Sequence, residues 1–289
     1  MISKDTFFSK KRTLNFAGTL HEFTSPIVMG ILNITPDSFY DGGRYLTDDD
    51  ILKRCETILS EDGTIIDIGA YSSRPGAEHI SEEDELNRLL PAIQLINKRF
   101  PQALLSVDTF RSNIAKVVVQ EFGVKMINDI SAGDMDENML ETMAELKVPY
   151  VMMHMKGNPQ TMQQQADYQS IIKEILRYFA EKLDKARKFG IHDIIIDPGF
   201  GFGKTIEQNY ILLSRLSELR IFELPILVGI SRKSMIHKLI GSEPGQALAG
   251  SITANTLALL NGADILRVHD VKEAVDTIKI VNAYKNSYL

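Results

Sequence analysis

Eight short runs of Val, Ile, Leu and Met recur along the chain, each followed by a stretch of helical periodicity, and no other feature narrows the possible folds so far. The runs are PIVMGILN (26–33), TIIDIG (64–69), ALLSVD (103–108), VKMIND (124–129), PYVMMH (149–154), DIIIDP (193–198), PILVGI (225–230) and DILRVH (264–269). Near-continuous apolar stretches, as opposed to in–out alternation, belong to strands buried on both faces, which is how parallel sheets are built. Helical patterns fill the intervals at 48–60, 81–99, 111–122, 136–146, 168–189, 207–219, 245–261 and 271–283. The second of these opens on Ser81 with Asp84 three residues on and acids throughout its first turn, as a helix start favours.

Eight such alternations with no linker between them predict an α/β fold, a single (β/α)8 TIM barrel within residues 1–289, ahead of an open doubly wound sheet. The length suits one barrel or two smaller units, and the layout selects the former. Residues 1–12 read as an N-terminal extension. TLNFAGTLHEF (13–23) alternates about Ala17-Gly18 as a β-hairpin does, and its expected place is the floor of the barrel.

With 44% hydrophobic and 24% charged residues the chain has ordinary globular usage and ample material for a core. A net charge of −6, with no extended Lys/Arg run, gives no electrostatic footprint for nucleic acid or an anionic membrane. The N-terminus mixes charges and shows no secretory pattern, no later run approaches a membrane span, and Cys55 is the single cysteine. These features point to a reducing, cytoplasmic setting without disulfides. Cys55 falls on the apolar side of ILKRCETIL and is expected to be buried.

Active sites of such barrels form at the C-terminal ends of the strands. Those ends read Asn33, Gly69, Asp108, Asn128-Asp129, His154, Asp197, Ser231-Arg232-Lys233 and Arg267-His269. Helix capping accounts for Asp129, Ser131 and Thr109, and His154, lacking a partner at this level, is expected to be structural. It fails for Lys233, Arg267 and His269, because a cation at a helix start faces the wrong end of the dipole; their convergence points to an anionic ligand. Arg267 and His269, two residues apart on one strand, share a face. GFGFGKT is no phosphate-binding P-loop, since the glycine required five residues before Gly203 falls on Pro198. No Ser-His-Asp or Cys-His constellation is apparent.

At these positions the chain resembles the dihydropteroate synthase family. The resemblance is carried by GILNITPDSFYDGGRY, SSRPGA, SVDT, INDIS, MMHMKGNPQTM, DPGFGFGKT, GISRKSM and RVHDV, in order from about residue 13 to the C-terminus. Family members join 6-hydroxymethyl-7,8-dihydropterin diphosphate to 4-aminobenzoate in folate synthesis and release diphosphate, through a carbocation that the amine attacks; sulfonamides compete for the aminobenzoate site. A pterin edge of alternating donors and acceptors needs carboxylates and amides at fixed heights in a pocket, which Asp108, Asn128 and Asp197 supply. The resemblance assigns these, with Lys233, to the pterin. It assigns Asn33, Ser73, Arg74, Arg267 and His269 to the diphosphate, with Mg2+ held at Asn33. Phe39, Pro75, Phe202 and Ser234 go to aminobenzoate, and Asp41, Arg74 and Lys233 to catalysis. Phe39 and Asp41 belong to a loop that Gly42-Gly43 would let swing over the site. The family also implies a homodimer. After the second strand this chain has Ala70-Tyr71-Ser72-Ser73-Arg74-Pro75-Gly76 where most synthases have Gly-Glu-Ser-Thr-Arg-Pro-Gly. A methyltetrahydrofolate-dependent methyltransferase and a non-catalytic pterin-binding paralogue are the alternatives; Arg74, Lys233-Ser234 and the first loop favour the synthase.

Overall fold

A computed structural model of the chain describes residues 13–287, apart from 17, 23, 36–46, 73–78 and 160, and only the backbone at 163 and 164. Two antiparallel strands come first, β1 (Thr13–Phe16) and β2 (Thr19–Glu22), as the alternation predicts. Eight parallel strands follow: β3 (Ile27–Asn33), β4 (Ile65–Gly69), β5 (Leu104–Asp108), β6 (Met126–Asp129), β7 (Tyr150–Met153), β8 (Ile194–Asp197), β9 (Leu227–Val228) and β10 (Ile265–Val268). Their lateral order is β8-β7-β6-β5-β4-β3-β10-β9. One bridge, Ile196 to Ile226, with the Ile196 N–H donating to Pro225 O at 3.0 Å, brings the two ends together into a barrel. Strand β9 is shorter than its apolar run, and Pro225 at the start of that run has no N–H to give to a ladder.

The helices are α1 (Asp48–Ser60), α2 (Glu82–Arg99), α3 (Ser112–Gln120), α4 (Met139–Leu146), α5 (Ile171–Lys188), α6 (Ile206–Ser214), α7 (Ser234–His237), α8 (Leu248–Leu260) and α9 (Val271–Asn286). Thr47 caps α1 reciprocally with Asp50, Thr205 caps α6 with Gln208, and Ser81 caps α2. Two expected helices are divided: α6 passes at Arg215 into a 3-10 run over Leu216–Phe222, and a 3-10 turn at Pro244–Gln246 precedes α8. The short α7 has too few residues to show a period in the sequence.

Strand parity decides where each side chain goes. Residues of one parity, among them Val28, Leu32, Ile66, Ile68, Ile127 and Ile196, pack outward against the helices, where Cys55 is also buried. The other parity fills the interior, and there Met29, Ile65, Met126, Val151, Ile195, Leu227 and Ile265 close on Leu14 and Phe16 of the hairpin. The hairpin is therefore the barrel floor. One inward step above this apolar layer stand Asp67, Ser106, Asn128, Asp197 and Arg267, beside Ile31 and Met153, and all but Arg267 are buried. The change from apolar to ionisable within two residues of strand is what creates a site.

Candidate active site

Four of these interior groups, Asp67, Asn128, Asp197 and Arg267, come from β4, β6, β8 and β10, alternate strands in the sheet, as barrel layers are composed. Arg267 is the hub. Its Nε donates to Asp67 Oδ2 at 2.7 Å and its Nη2 to Asp108 Oδ2 at 2.9 Å. Asn128 Nδ2 donates to the same Asp67 oxygen at 3.0 Å. Burial alone would lower the Arg267 guanidinium, but Asp67 and Asp108 outweigh it and leave it raised. Burial pushes the Asp108 carboxyl up to about 7, against the pull of Arg267.

Across the barrel, burial also raises the Asp197 carboxyl, opposed first by Lys233. Asp197 Oδ1 accepts the Gly199 N–H at 2.7 Å, which starts the glycine-rich turn. That turn is tightly constrained: a Cβ on Gly199 (φ +72°) would lie 2.0 Å from His154 O, and one on Gly201 (φ +81°) 3.0 Å from Lys233 Cδ. The close backbone leaves room for the Lys233 stem. Lys233 Nζ donates to Phe200 O and sits 4.5 Å from the centre of the Phe202 ring. Burial brings its ammonium down to about 8, with Asp197 resisting. Ser234, at the first turn of α7, is exposed beside it.

On the remaining side, His269 Nδ1 lies 3.3 Å from Ser231 Oγ. Burial, then Arg267, push its imidazole down to about 3, so it is neutral at neutral pH. Arg54 of α1 holds the rim there, donating to His269 O at 2.7 Å and Ile31 O at 3.2 Å. Arg232, in a left-handed conformation at φ +58°, pairs through Nε with Asp270 Oδ2 at 2.8 Å and links the loops after β9 and β10. Asn33 ends β3 half-buried; its Oδ1 lies 3.2 Å from where a Gly69 Cβ would stand, so the absence of a side chain there gives the amide its space.

The predicted residues Asn33, Asp108, Asn128, Asp197, Phe202, Lys233, Ser234, Arg267 and His269 thus lie at the C-terminal ends of the strands or in the loops that follow. Phe39, Asp41, Ser73, Arg74 and Pro75 lie outside the described residues. His154 is structural, as expected: its ring packs edge-on against Tyr178 at 4.8 Å and its Nδ1 is 3.0 Å from Lys204 Nζ. Asp129 and Ser131 differ from their expected capping role, because α4 begins only at Met139. Asp129 instead ties its own loop, accepting from Ser131 N–H and Oγ, Gly133 N–H and the Tyr150 hydroxyl. Thr109 likewise holds a turn, its Oγ1 accepting the Arg111 N–H at 3.2 Å. Tyr71, at the family departure, packs edge-on to Phe110 at 5.1 Å and bonds His79 Nδ1 at 3.2 Å, joining residues on either side of segment 73–78.

Two interior residues escape a reading of the strand ends. Asp67 stands two residues below Gly69, and the parity that pairs Arg267 with His269 would have found it. Lys204 is buried with Nζ donating to Gly199 O at 2.8 Å and Phe202 O at 3.0 Å; burial draws it down to about 7. An acid inside TIIDIG and a lysine closing GFGFGK were the available signals.

A polar layer of amide, carboxylates and guanidinium on an apolar floor, at the mouth of a parallel barrel, is suited to a flat ligand edged with donors and acceptors. The chain belongs to the family of pterin binding enzymes, whose sequence model matches residues 29–269. It is 43% identical to the dihydropteroate synthase of Escherichia coli K12 over 92% of this chain and 94% of that one. Its structure is similar to the Yersinia pestis dihydropteroate synthase in a sulfonamide drug complex, with TM-score 0.89 and 41% identity over 95% and 99% of the two chains. It is also similar to the Xanthomonas albilineans enzyme with 4-aminobenzoic acid, with TM-score 0.87 and 38% identity over 95% and 98%. Within the family the chain stands with the dihydropteroate synthases, transferases of folate synthesis.

Proposed function

We propose that the interior layer and the rim divide one reaction between them: the pterin is held by Asp108, Asn128, Asp197 and Lys233, and the departing diphosphate by Asn33, Ser73, Arg74, Arg267 and His269. The observation that carries this reading is the placing of Arg267 between the buried Asp67 and the half-buried Asp108, at the level of the pterin groups, with its guanidinium reaching the mouth. The C–O bond of the 6-hydroxymethyl diphosphate breaks with its electron pair leaving on diphosphate. The methylene cation is delocalised over the dihydropterin, and the 4-aminobenzoate nitrogen then forms the C–N bond and loses a proton, giving 7,8-dihydropteroate. No side-chain nucleophile is required.

Each group has a defined task. Lys233, with its ammonium near 8, is mostly protonated at neutral pH and donates to the ring. Arg267 keeps its charge and meets the charge that grows on the leaving oxygen. His269 is neutral there and serves as a hydrogen-bond donor, not a cation. Phe202 and Ser234, with Phe39 and Pro75, take aminobenzoate, its carboxylate meeting the first turn of α7; a sulfonamide would occupy the same slot. Asp41 and Arg74 act on the reacting centre from their loops.

Among the described residues no group of three His, Cys, Asp or Glu side chains could cage a metal. A lone amide oxygen at Asn33 suits Mg2+, which keeps waters and substrate phosphate oxygens as ligands. Mg2+ there would offset charge on the diphosphate; Asn33 would hold it. Dihydropteroate formation from the two substrates, assayed with and without Mg2+, tests the reading, and ligand binding without turnover would reduce the chain to a pterin-binding paralogue.

A homodimer is part of the proposal. Leu257 and Leu260 on α8 are 42% and 43% exposed, and Ile280 and Tyr284 on the neighbouring α9 are 70% and 52% exposed, an apolar face suited to a second copy. Light scattering of the chain and of a Leu257→Glu, Ile280→Glu double variant tests it, a monomer being expected only from the variant. No helix of the described residues is long and apolar enough to cross a membrane, and a cytoplasmic location fits the single buried Cys55.

A further inference from the structure

Asp67 lies in mid-strand on β4, fully buried, with Ile31 of β3 and Ser106 of β5 as lateral neighbours. Its Oδ2 accepts from Arg267 on β10 and from Asn128 on β6, so a single oxygen joins strands that lie two places away on either side. Oδ1 has no hydrogen-bond partner among the described residues.

A carboxylate only accepts, and this fixes both partners. Asn128 must turn its NH2 towards Asp67, because the reversed amide would set two oxygens against each other at 3.0 Å. Its Oδ1 is then the atom offered to a ligand, so position 128 reads an N–H on the ring. Arg267 commits Nε to Asp67 and one Nη2 hydrogen to Asp108, which turns the rest of the guanidinium to the mouth. We infer that Asp67 is the positioning residue that couples the two halves of the site, aiming Asn128 at the pterin and Arg267 at the diphosphate from one buried oxygen. The inference rests on the assignment of those two residues under the proposed function.

Charge alone makes the opposite forecast. Asp67 is a negative group beside the main cation of the anion site, and deleting it should strengthen diphosphate binding if only its field mattered. Positioning requires the binding to weaken. The test is calorimetric titration of inorganic diphosphate, and separately of 6-hydroxymethylpterin, into the full chain and its Asp67→Ala and Asp67→Asn variants. Asp67→Ala is expected to weaken each ligand by about tenfold or more, the scale of a lost hydrogen bond to a charged group. Asp67→Asn retains an oxygen that can accept from both donors and is expected to restore most of the affinity. Diphosphate bound by Asp67→Ala as tightly as by the unaltered chain, or more tightly, overturns the inference, as does weakening of one ligand without the other. A second readout needs no variant to fold: in the unaltered chain the Arg267 Nε–H should exchange slowly with water, both free and with the two ligands bound, and fast exchange in either state overturns it. An unaltered chain that binds neither ligand defeats the functional reading and this inference with it, an outcome distinct from a variant that merely matches the unaltered chain.

Discussion

Arg267, Asp108 and Lys233 carry ionisations that make the site sensitive to pH and to single substitutions. Arg267→Ala would leave the fully buried Asp67 without its cation and Asp108 without its donor, and a loss of about 3–5 kcal/mol in urea denaturation is expected along with loss of turnover. Asp108, with its carboxyl raised to about 7, keeps a proton in the folded chain that the unfolded chain has already released. Stability should therefore fall as pH rises from the ordinary carboxylate range towards 7, and Asp108→Asn should flatten that slope in denaturation curves. Lys233 loses its positive charge as pH rises through about 8, so pterin affinity should decline on the alkaline side, and Lys233→Met should abolish that decline.

The glycine-rich turn between β8 and α6 acts as one element, since Lys204 fastens its carbonyls and Asp197 its first N–H. Lys204→Met should raise the KM for aminobenzoate, whose ring Phe202 would face, and alter pterin affinity much less, as kinetics and calorimetry together would tell. Gly199→Ala should cost more than the roughly 1–2 kcal/mol of a left-handed alanine, because the added methyl also meets His154 O. Elements of this kind differ in how far a sequence discloses them. The eight strands were legible because a strand buried on both faces has no choice but to be apolar, and the helix start at Ser81 because capping is local. The division of the helix after Ser214, the short α7 and the brevity of β9 were not, since each depends on neighbours distant in sequence. The polar groups of the candidate site were legible at the strand ends, and its second level was not: Asp67 and Lys204 are ordinary letters until parity or a tertiary contact gives them partners.

For the whole molecule the hairpin is the least conspicuous part in the sequence and the one that completes the barrel. Phe16 and Leu14 fill the bottom of the interior, and Phe16→Ala is expected to lower stability by about 3–5 kcal/mol while leaving KM values unchanged, as denaturation and steady-state kinetics would separate. A stoppered barrel also imposes a sequence of events. With one end closed by the hairpin, everything that reaches Asn128 and Arg267 comes and goes through the same opening, and whatever sits lower is trapped by whatever sits above. Of the residues assigned to the pterin, Asn128 and Asp197 lie in the buried layer, whereas Phe202 is half-buried and Ser234 exposed at the lip. On the proposed assignments depth would set a queue: the dihydropterin diphosphate would enter before aminobenzoate, and the joined product, spanning both levels, would leave before the next pterin could go in.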